Sequence, residues 1–496
     1  MLKIFNTLTG RKDQFEPLMP GQVRMYVCGV TVYDYSHLGH ARSALVFDVI
    51  RNYLRFSGYA VKYARNFTDV DDKIIKRASE DGKTSAEIAE KYLLAYQEDM
   101  RRLGVVQADV EPKATEHIPD IIRLIQTLIG KGHAYPLNGD VYYEVKTYPT
   151  YGRLSKRKAE DLLAGARVEV DERKRNPMDF ALWKSSKPGE PAWPSPWGSG
   201  RPGWHIECSA MSMHHLGETF DIHGGGQDLI FPHHENEIAQ SCAATGKEFA
   251  RYWIHNGFVT VDSEKMSKSL GNFFTIKEIF EKFPAPEHVT AEVVRYFLLS
   301  THYRGPIDFS DAALLKAWAG LNNFYDLFKR LEELAGKKGR KDADAQREEE
   351  SLLSFFEQAM DEDFNTPEAI GSLQTFRSTV NKLLVDGLSA AVGREALAAF
   401  RKYGKVLRLF QVQVKDWQFS PNAINLALGV PWPVEMRVAA PTHVFVHDTE
   451  IERQIAERNE ARRRKDFARA DEIRKALAAQ GIILEDRPDG TTRWKR

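Results

Sequence analysis

Residues 25–42 constrain the fold of this chain more than any other stretch of its sequence. Residues 25–27 are apolar and β-prone, and they predict the end of a buried strand. A helix is predicted over 38–56, because its apolar residues recur at helical spacing: Leu45, Val46, Val49, Ile50 and Leu54. A strand that passes through a short glycine-containing turn into a helix is typical of an α/β sheet.

The turn between these two elements carries candidate ligand-binding residues. Gly29 and Gly39 allow a ligand to approach the backbone closely. His37 and His40 stand at the predicted helix N-terminus, whose free N–H groups and dipole suit phosphate. Cys28 lies at the carboxyl edge of the strand, where open α/β sheets bind ligands. Taken alone, each of these residues is equally compatible with an ordinary turn.

A second stretch, Glu-Lys-Met-Ser-Lys-Ser-Leu-Gly-Asn at 264–272, is a short polar loop with two lysines. Together with His-Leu-Gly-His at 37–40, it resembles the paired signature of class I aminoacyl-tRNA synthetases. With the residues that lie between the two motifs, the chain resembles the cysteinyl-tRNA synthetase family over almost its whole length.

The expected fold class is α/β. A strand at 61–67 follows the first helix, and strand, helix and strand in this order predict a parallel sheet. The resemblance implies a Rossmann-like catalytic domain with an insertion, then an α-helical bundle and a small α+β C-terminal domain. The expected boundaries are 1–145 and 204–309 for the two catalytic halves, 146–203 for a loop-rich insertion, 310–410 for the bundle and 411–496 for the linker and C-terminal domain.

Bulk composition limits the alternatives. A chain of 496 residues is longer than a single hydrophobic core usually supports, so several domains are expected. Because 69 basic residues balance 69 acidic ones, contacts with RNA must come from local basic patches. Three cysteines are too few for a disulfide framework, which favours a reduced setting. With neither a signal peptide nor a membrane span in the sequence, we expect a cytoplasmic protein that does not bind membranes, and we expect a monomer.

The residues suggest one metal site. Cys28 and Cys208 are candidate thiolates, and His233 and Glu237 lie four apart, on one face of a predicted helix. Two thiolates, an imidazole and a carboxylate form a Zn²⁺ ligand set. Their spacing is non-local, and the neighbours His234 and Glu235 compete for the same role, whereas Cys242 is expected to pack. The resemblance implies that Cys28, Cys208, His233 and Glu237 are the zinc ligands.

The resemblance also implies that this zinc receives the thiolate of the cysteine substrate. Shape alone separates near-isosteres such as cysteine and serine by only about 10–200-fold, whereas a soft thiolate binds zinc much better than an alcohol does. We therefore expect no editing domain, and we expect Glu237 to be the weak ligand. Trp204 and Tyr33 are expected to wall the amino-acid pocket, with Thr68 near it.

Activation by ATP is implied as the first step. His37 and His40 are expected to donate to the phosphates, while Lys265 and Lys268 offset charge on the leaving pyrophosphate, Lys268 by direct contact. Nucleotide-binding residues are expected at Gly29, Gly39, Gly224, Gly225, Gly226, Asp228 and Lys268, with Asp228 on the ribose. ATP is expected to bring Mg²⁺. Asp71 and Asp72 suggest a Mg²⁺ ligand pair or, equally, a helix cap.

The third implied partner is tRNA(Cys), bound by the helical region and by the C-terminal tail. Basic residues that suit phosphate cluster in the tail: Arg462, Arg463, Arg464, Lys465 and Arg469. Arg493 and Trp494 offer a cation and a stacking face for an unstacked base. Charged helix pairs are also typical of plain solvated surfaces.

Two rival hypotheses stay open at this point. A synthetase-like ligase that joins cysteine to a sugar amine would keep the zinc and both motifs but should lack the long C-terminal half. An RNA-binding protein with an inactive synthetase fold would keep the zinc as a structural ion. The intact His37, His40, Lys265 and Lys268 argue against the second.

Overall fold

A computed structural model describes residues 1–156, 173–261, 264–265, 274–283, 285–334, 354–417, 448–464, 466–478, 483–486 and 492–495. The chain divides into two compact units, Met1–Leu428 and Gly429–Arg496. The first unit begins with an antiparallel pair of short strands, β1 (Lys3–Asn6) and β2 (Arg11–Gln14).

A four-stranded parallel sheet organises the first unit, as the sequence predicted. Its strands are β3 (Gln22–Thr31), β4 (Ala60–Thr68), β9 (Phe220–Gly226) and β10 (Ala250–Asn256). Their order across the sheet is β10-β9-β3-β4, and each neighbouring pair is parallel. The carboxyl ends of all four strands therefore meet at one edge, which is where this type of sheet binds ligands.

The predicted helix over 38–56 is present as α1 (Leu38–Phe56). Its buried face includes Leu45, Val49 and Leu54, and each such side chain contributes about 1.5–3 kcal/mol when it leaves water. Three more helices follow β4: α2 (Asp72–Asp81), α3 (Ser85–Arg102) and α4 (Ile118–Gly130). A short 3₁₀ turn, Ala114–His117, leads directly into α4.

The segment 146–203, predicted as a loop-rich insertion, contributes two of the four strands of an antiparallel sheet. An antiparallel sheet runs β5 (Ala134–Leu137), β6 (Asp140–Tyr143), β7 (Phe180–Ser185) and β8 (Gly200–Pro202) in that order. Leu182 and Trp183 on β7 are fully buried in an apolar cluster that this sheet shares with α4, including Ile121 and Ile125. Strands of three to six residues are too short for period-two alternation to stand out from a polar, proline-rich background.

Two further helices follow β8 and β9, respectively: α5 (Trp204–Leu216) and α6 (Glu235–Thr245). A short sheet then joins β11 (Val259–Val261), β12 (Glu264–Lys265) and β13 (Ile307–Phe309). Gly257 and Phe258 separate β10 from β11.

Helices dominate the rest of the first unit, in agreement with the predicted bundle. They are α7 (Ile276–Lys282), α8 (Glu287–Leu299), α9 (Asp311–Glu333), α10 (354–361), α11 (Thr366–Val385) and α12 (Ala390–Leu407). A buried ion pair ties α1 to this region: Asp48 lies 3.1 Å from Arg295 on α8 and 3.2 Å from Arg408 at the end of α12.

The second unit holds the helix pair and the hairpin that the sequence predicted. The helices are α13 (Asp448–Arg463) and α14 (Phe467–Ala478), and the strands are β14 (Ile483–Asp486) and β15 (Thr492–Lys495), which pair antiparallel. The predicted Pro-Asp-Gly turn between the strands lies outside the described residues, as do the charged connection at 337–350 and most of the segment 411–440.

Among the helices of the described ranges, none combines the length and the apolar character that a membrane crossing requires.

Candidate active site at the carboxyl edge of the parallel sheet

A bulge in β3 sets the position of Cys28. Val27 pairs with Arg65 and Val30 pairs with Phe67, so β3 carries one extra residue between these pairs. Gly29 lies in the bulge, and its N–H donates to Oδ1 of Asn66 at 2.9 Å. A Cβ at Gly29 would overlap the carbonyl oxygen of Asn66. Only glycine therefore fits beside Cys28 at this point of the strand.

Cys28, Cys208, His233 and Glu237 converge on one point, although they come from three separate segments of the chain. One ligand atom of each lies within 4.8 Å of those of the other three, and all four residues are buried. Cys28 Sγ lies 3.4 Å from Glu237 Oε1, and His233 Nε2 lies 3.0 Å from the same oxygen. The predicted placement of His233 and Glu237 on one face is confirmed.

The backbone before α6 explains how His233 reaches the cluster. The sequence placed the helix start near Phe231, but Phe231 has an extended backbone and α6 begins at Glu235. A wider helical turn, Ile230–His234, joins directly onto α6 and keeps His233 above Glu237.

The Glu237 carboxylate is the electrostatic centre of the cluster. His223 Nε2 lies 2.9 Å from its Oε2, so one imidazole faces each carboxylate oxygen. Burial acts to raise the pKa of Glu237, but His223 and His233 outweigh it and hold the pKa well below its ordinary value. Glu237 is therefore an anion buried among two imidazoles and two thiols.

The two thiols differ in their surroundings. Burial raises the pKa of Cys28 well above its ordinary value, and the neighbouring Cys208 adds to this effect. Burial also acts to raise the pKa of Cys208, but a hydrogen bond from Cys28 and the charge of His233 lower it to about 6. Cys208 is thus the thiol of this pair that ionises first.

The competing candidates face other groups. Glu235 accepts hydrogen bonds from the backbone N–H groups of Gly152 at 2.9 Å and Ser155 at 2.8 Å, so it anchors a loop. His234 shares a hydrogen bond of 2.8 Å with His255, and its Nε2 lies 3.9 Å from Glu237. A second overlapping group, made of Cys28, His223, His234 and Glu237, also has its ligand atoms within 4.8 Å. His234 is therefore placed to compete with His233 as a metal ligand. Glu235 is engaged with the loop and does not compete with Glu237 in the same way.

His37 and His40 cap α1 and stack on each other. His37 Nδ1 accepts from the Gly39 N–H at 3.0 Å, His40 Nδ1 accepts from the His37 N–H at 3.4 Å, and the ring centroids are 3.8 Å apart. Because both Nδ1 atoms accept, the ring protons reside on Nε2. Burial lowers the pKa of His37 to about 4, and burial with the charges of His37 and Lys73 lowers that of His40 well below its ordinary value. Both rings are neutral Nε2–H donors at pH 7.

The segment that follows the lysine loop is joined to this pair. The Leu38 N–H donates to the Phe274 carbonyl at 3.3 Å, and the Ile276 N–H donates to the Ser36 carbonyl at 3.0 Å. Lys265 lies on β12, paired with Thr260 of β11. Lys268 lies outside the described residues.

The other predicted nucleotide residues lie at the carboxyl end of β9. A Cβ at Gly224 would overlap the ring of Phe47, and one at Gly225 would come within 2.8 Å of Leu229. A Cβ at Gly39 would lie 2.7 Å from the His37 ring. A side chain at any of these three positions would therefore force a neighbouring side chain to shift. Asp228 is exposed in a 3₁₀ turn, Gln227–Leu229.

The three predicted pocket residues lie around the same edge. Trp204 is the first residue of α5 and stacks on His233 at 4.3 Å between ring centroids, although 37% of it is exposed. Thr68 ends β4, and its hydroxyl donates to Glu207 Oε2 at 2.9 Å. Tyr33 follows β3, with Lys73 Nζ 5.3 Å from its ring centroid.

The proposed Mg²⁺ pair is engaged in other contacts. Asp71 is the N-cap of α2 and accepts from the Lys73 N–H at 2.9 Å. Asp72 pairs with Lys184 at 2.6 Å and with Arg201 at 2.5 Å. The capping interpretation therefore accounts for Asp71, and ion pairing accounts for Asp72.

Three buried polar residues of this edge were missed by sequence reasoning, namely Asn66, Glu207 and His223. Asn66 Oδ1 lies 3.7 Å from Cys208 Sγ, and Glu207 Oε1 is buried without a hydrogen-bond partner among the described residues. All three lie in elements that hold other polar residues as well, so the local pattern gave no signal that distinguished them.

Comparison with known families identifies the parts of the chain. Residues 14–319 match the model of the tRNA synthetases class I (C) catalytic domain, 355–411 match the DALR domain and 448–494 match the cysteinyl-tRNA ligase anticodon binding domain. Relatives described as cysteine–tRNA ligases are 53% identical in Pelobacter propionicus and in Geobacter sulfurreducens. These alignments cover 99% and 100% of this chain, and 99% of each relative.

Solved structures show the same fold at low identity. Mycobacterium tuberculosis methionyl-tRNA synthetase in complex with methionyl-adenylate is 17% identical, with a TM-score of 0.59 over 82% of this chain and 96% of that one. A putative arginyl-tRNA synthetase from Campylobacter jejuni is 12% identical, with a TM-score of 0.55 over 78% of this chain and 93% of that one. The α/β catalytic fold expected from the sequence is confirmed.

Proposed function

Because the chain belongs to the cysteine–tRNA ligase family of class I tRNA synthetases, we propose that it charges tRNA(Cys) and selects cysteine with a buried zinc ion. Membership of the family makes the chain an aminoacyl-tRNA ligase, with cysteine, tRNA and ATP as its substrates. The metal, the roles of individual residues, the domain boundaries, a monomeric state and a cytoplasmic location are parts of the proposal.

One observation carries the zinc proposal: Cys28, Cys208, His233 and Glu237 place thiol, imidazole and carboxylate atoms within 4.8 Å in a buried position. This donor set suits zinc. It also gives the buried Glu237 anion a cation to pair with, and buried charges are normally paired or coordinate a metal. When bound, zinc would supply a soft Lewis acid that holds a thiolate more strongly than an alcohol.

His223 supports the proposed role of Glu237 as the ligand that yields to substrate. Its Nε2, 2.9 Å from Glu237 Oε2, keeps that carboxylate hydrogen-bonded whichever other contacts the oxygens make. A Glu237 carboxylate that yields its place on the metal would therefore keep a hydrogen-bond partner. Trp204, Thr68 and Tyr33 form the proposed walls of the amino-acid pocket.

In the proposed activation step, the cysteine carboxylate oxygen bonds to the α-phosphorus of ATP, and the bond to pyrophosphate breaks. His37 and His40 donate their Nε2 protons as hydrogen bonds to phosphate oxygens, while Lys265 and Lys268 offset the charge on the departing pyrophosphate. Gly29, Gly39 and Gly224–Gly226 line the proposed nucleotide site, with Asp228 on the ribose and Mg²⁺ carried in with ATP.

In the second step, the 2′-hydroxyl of the terminal adenosine attacks the acyl carbon of the adenylate and AMP leaves. The proposed tRNA-binding parts are the bundle at 310–410 and the domain within 411–496. Arg464 and Arg469 pair with Glu460 at 2.9 Å and with Glu457 at 2.8 Å, so they are less available to phosphate than their sequence suggests. Lys465 lies outside the described residues, and the roles of Arg493 and Trp494 stay predictions.

The deciding experiment is aminoacylation of bulk tRNA by the purified chain, with labelled cysteine and labelled serine in parallel reactions. We expect cysteine charging with little serine charging, and loss of this preference in Cys208→Ser but not in the control Cys242→Ser. Pyrophosphate exchange without charging would instead favour the sugar-amine ligase, and the absence of both reactions would favour an RNA-binding protein.

A further inference from the structure

Three histidines form a second cluster away from the sheet edge. His117 ends the 3₁₀ turn before α4, and His214 and His215 lie in the last turn of α5. Their ring centroids are 4.7–5.0 Å apart, and one nitrogen of each lies within 4.8 Å of those of the other two. Cys208 is on the same helix, but the proposed amino-acid site involves none of these histidines.

One carboxylate fixes two of these imidazoles. Asp120 Oδ2 lies 3.0 Å from His117 Nδ1 and 3.2 Å from His214 Nδ1. An ionised carboxylate only accepts hydrogen bonds, so both Nδ1 atoms carry the proton and both Nε2 atoms keep a free lone pair in the neutral rings. A carboxylate behind a histidine is the usual support of a metal-binding imidazole.

The spacing of the nitrogens fits a metal ion. His117 Nε2 and His215 Nε2 lie 3.2 Å apart. Ligand nitrogens on a tetrahedral zinc ion, with bonds of about 2.0–2.1 Å, are separated by roughly 3.3 Å. The alternative is a simple hydrogen bond, in which the Nε2–H of His215 donates to His117.

The surrounding charges act in both directions. The carboxyl end of α5 and the Asp120 carboxylate favour a cation. Lys62 and Arg24 oppose it, although each is hydrogen-bonded to a carbonyl of this helix end, Lys62 to His215 and Arg24 to Leu216, both at 2.6 Å.

We propose that His117, His214 and His215 form a second metal site for a divalent transition-metal ion such as Zn²⁺, with Asp120 orienting two of the ligands. All three protein ligands are imidazoles, which suit zinc, copper and nickel. His214 is partly exposed, so an ion can enter from solvent and a water molecule can complete the coordination. The ion would tie the start of α4 to the end of α5.

The test measures zinc content and does not depend on activity. Full-length protein is equilibrated with micromolar Zn²⁺, passed over a desalting column and analysed by mass spectrometry of the metal. We expect about two zinc ions per chain in the parent and about one in His214→Asn with His215→Asn. His288→Asn, on an exposed part of α8, is the control and should keep both ions.

Two further measurements make the result specific. Asp120→Asn should weaken binding at the second site by about 10–100-fold, because it removes only the orienting carboxylate. After replacement of zinc by Co²⁺, loss of the second ion should leave the thiolate-to-cobalt band of the cysteine site unchanged. Equal zinc content in the parent and in the double variant would overturn the proposal and leave a hydrogen-bonded histidine cluster. Single His214→Asn, at an exposed position, provides the same comparison if the double variant fails to fold.

Discussion

His37 and Thr275 face each other across an antiparallel backbone bridge. This bridge joins the backbone that follows the lysine motif to the histidine pair at the start of α1. Thr275 is also the N-cap of α7, where its hydroxyl accepts from the Glu278 N–H at 3.1 Å.

Thr275→Ala should slow adenylate formation more than it weakens cysteine binding. Loss of the cap costs about 0.5–2 kcal/mol at the start of α7 and loosens the fixed end of the loop. The measurement is cysteine-dependent pyrophosphate exchange, with kcat and KM determined separately. Thr275→Ser retains the cap and should behave as the parent; a loss of rate in both variants would point away from the cap.

Cys208→Ser should lose zinc and bind cysteine poorly. We expect the KM for cysteine to rise by more than about 10-fold and the KM for ATP to change by less than about twofold, because the lost ligand faces the amino acid. Zinc content and exchange kinetics are measured on the same sample. An equal rise in both KM values would indicate a structural metal.

Gly29→Ala should inactivate the enzyme through a clash with the Asn66 carbonyl. Relief of the clash has to shift the bulge that holds Cys28, at a cost of about 1–3 kcal/mol. Zinc content and cysteine activation should both fall. Gly130→Ala, in a helix position with open space around it, is the matched control and should leave both unchanged.

Arg295→Met should destabilise the first unit strongly. It leaves the buried Asp48 carboxylate with Arg408 as its remaining ion-pair partner among the described residues, and breaking such a pair typically costs about 3–5 kcal/mol. The comparison is Lys76→Ala, whose exposed pair with Glu80 contributes at most about 1 kcal/mol. Thermal unfolding midpoints of the two variants should differ by several degrees; similar midpoints would contradict the predicted cost.

His255→Gln should reduce the loss of stability in acid. Burial, with a further contribution from His223, lowers the pKa of His255 from 6.5 to about 3. Between pH 6.5 and about pH 3, His255 is therefore protonated in the unfolded chain but neutral in the folded chain. The free energy of unfolding accordingly falls as the pH drops towards 3. In the variant, the free energy of unfolding should depend less steeply on pH, by up to about 1.4 kcal/mol per pH unit. Thermal midpoints from pH 4 to 7 measure it, and parallel curves for the two proteins would contradict the prediction.

Local pattern was sufficient for much of the fold. The apolar spacing of Leu45 and Val49 predicted α1, and the strand that follows it predicted the parallel sheet. β7 escaped prediction because its six residues lie in a polar, proline-rich segment, where burial of Trp183 depends on contacts with distant strands. Such contacts between distant strands cannot be inferred from the local sequence.

The candidate site was likewise only partly predictable from local sequence. His233 and Glu237 share a face by spacing alone, but only tertiary structure brings Cys28 and Cys208 to them. The resemblance to a family supplied that step. His223 was missed because a histidine in a buried strand has no partner in the sequence around it; its partner, Glu237, lies on another element.

The strand order of the parallel sheet has a consequence for synthesis on the ribosome. β3 and β4 emerge early, whereas β9, which pairs with the other edge of β3, emerges only after the whole antiparallel sheet. At a synthesis rate of about 5–20 residues per second, this edge of β3 stays unpaired for on the order of ten seconds or more. An unpaired apolar edge invites pairing with other chains, so the nascent protein is exposed to such pairing throughout this interval.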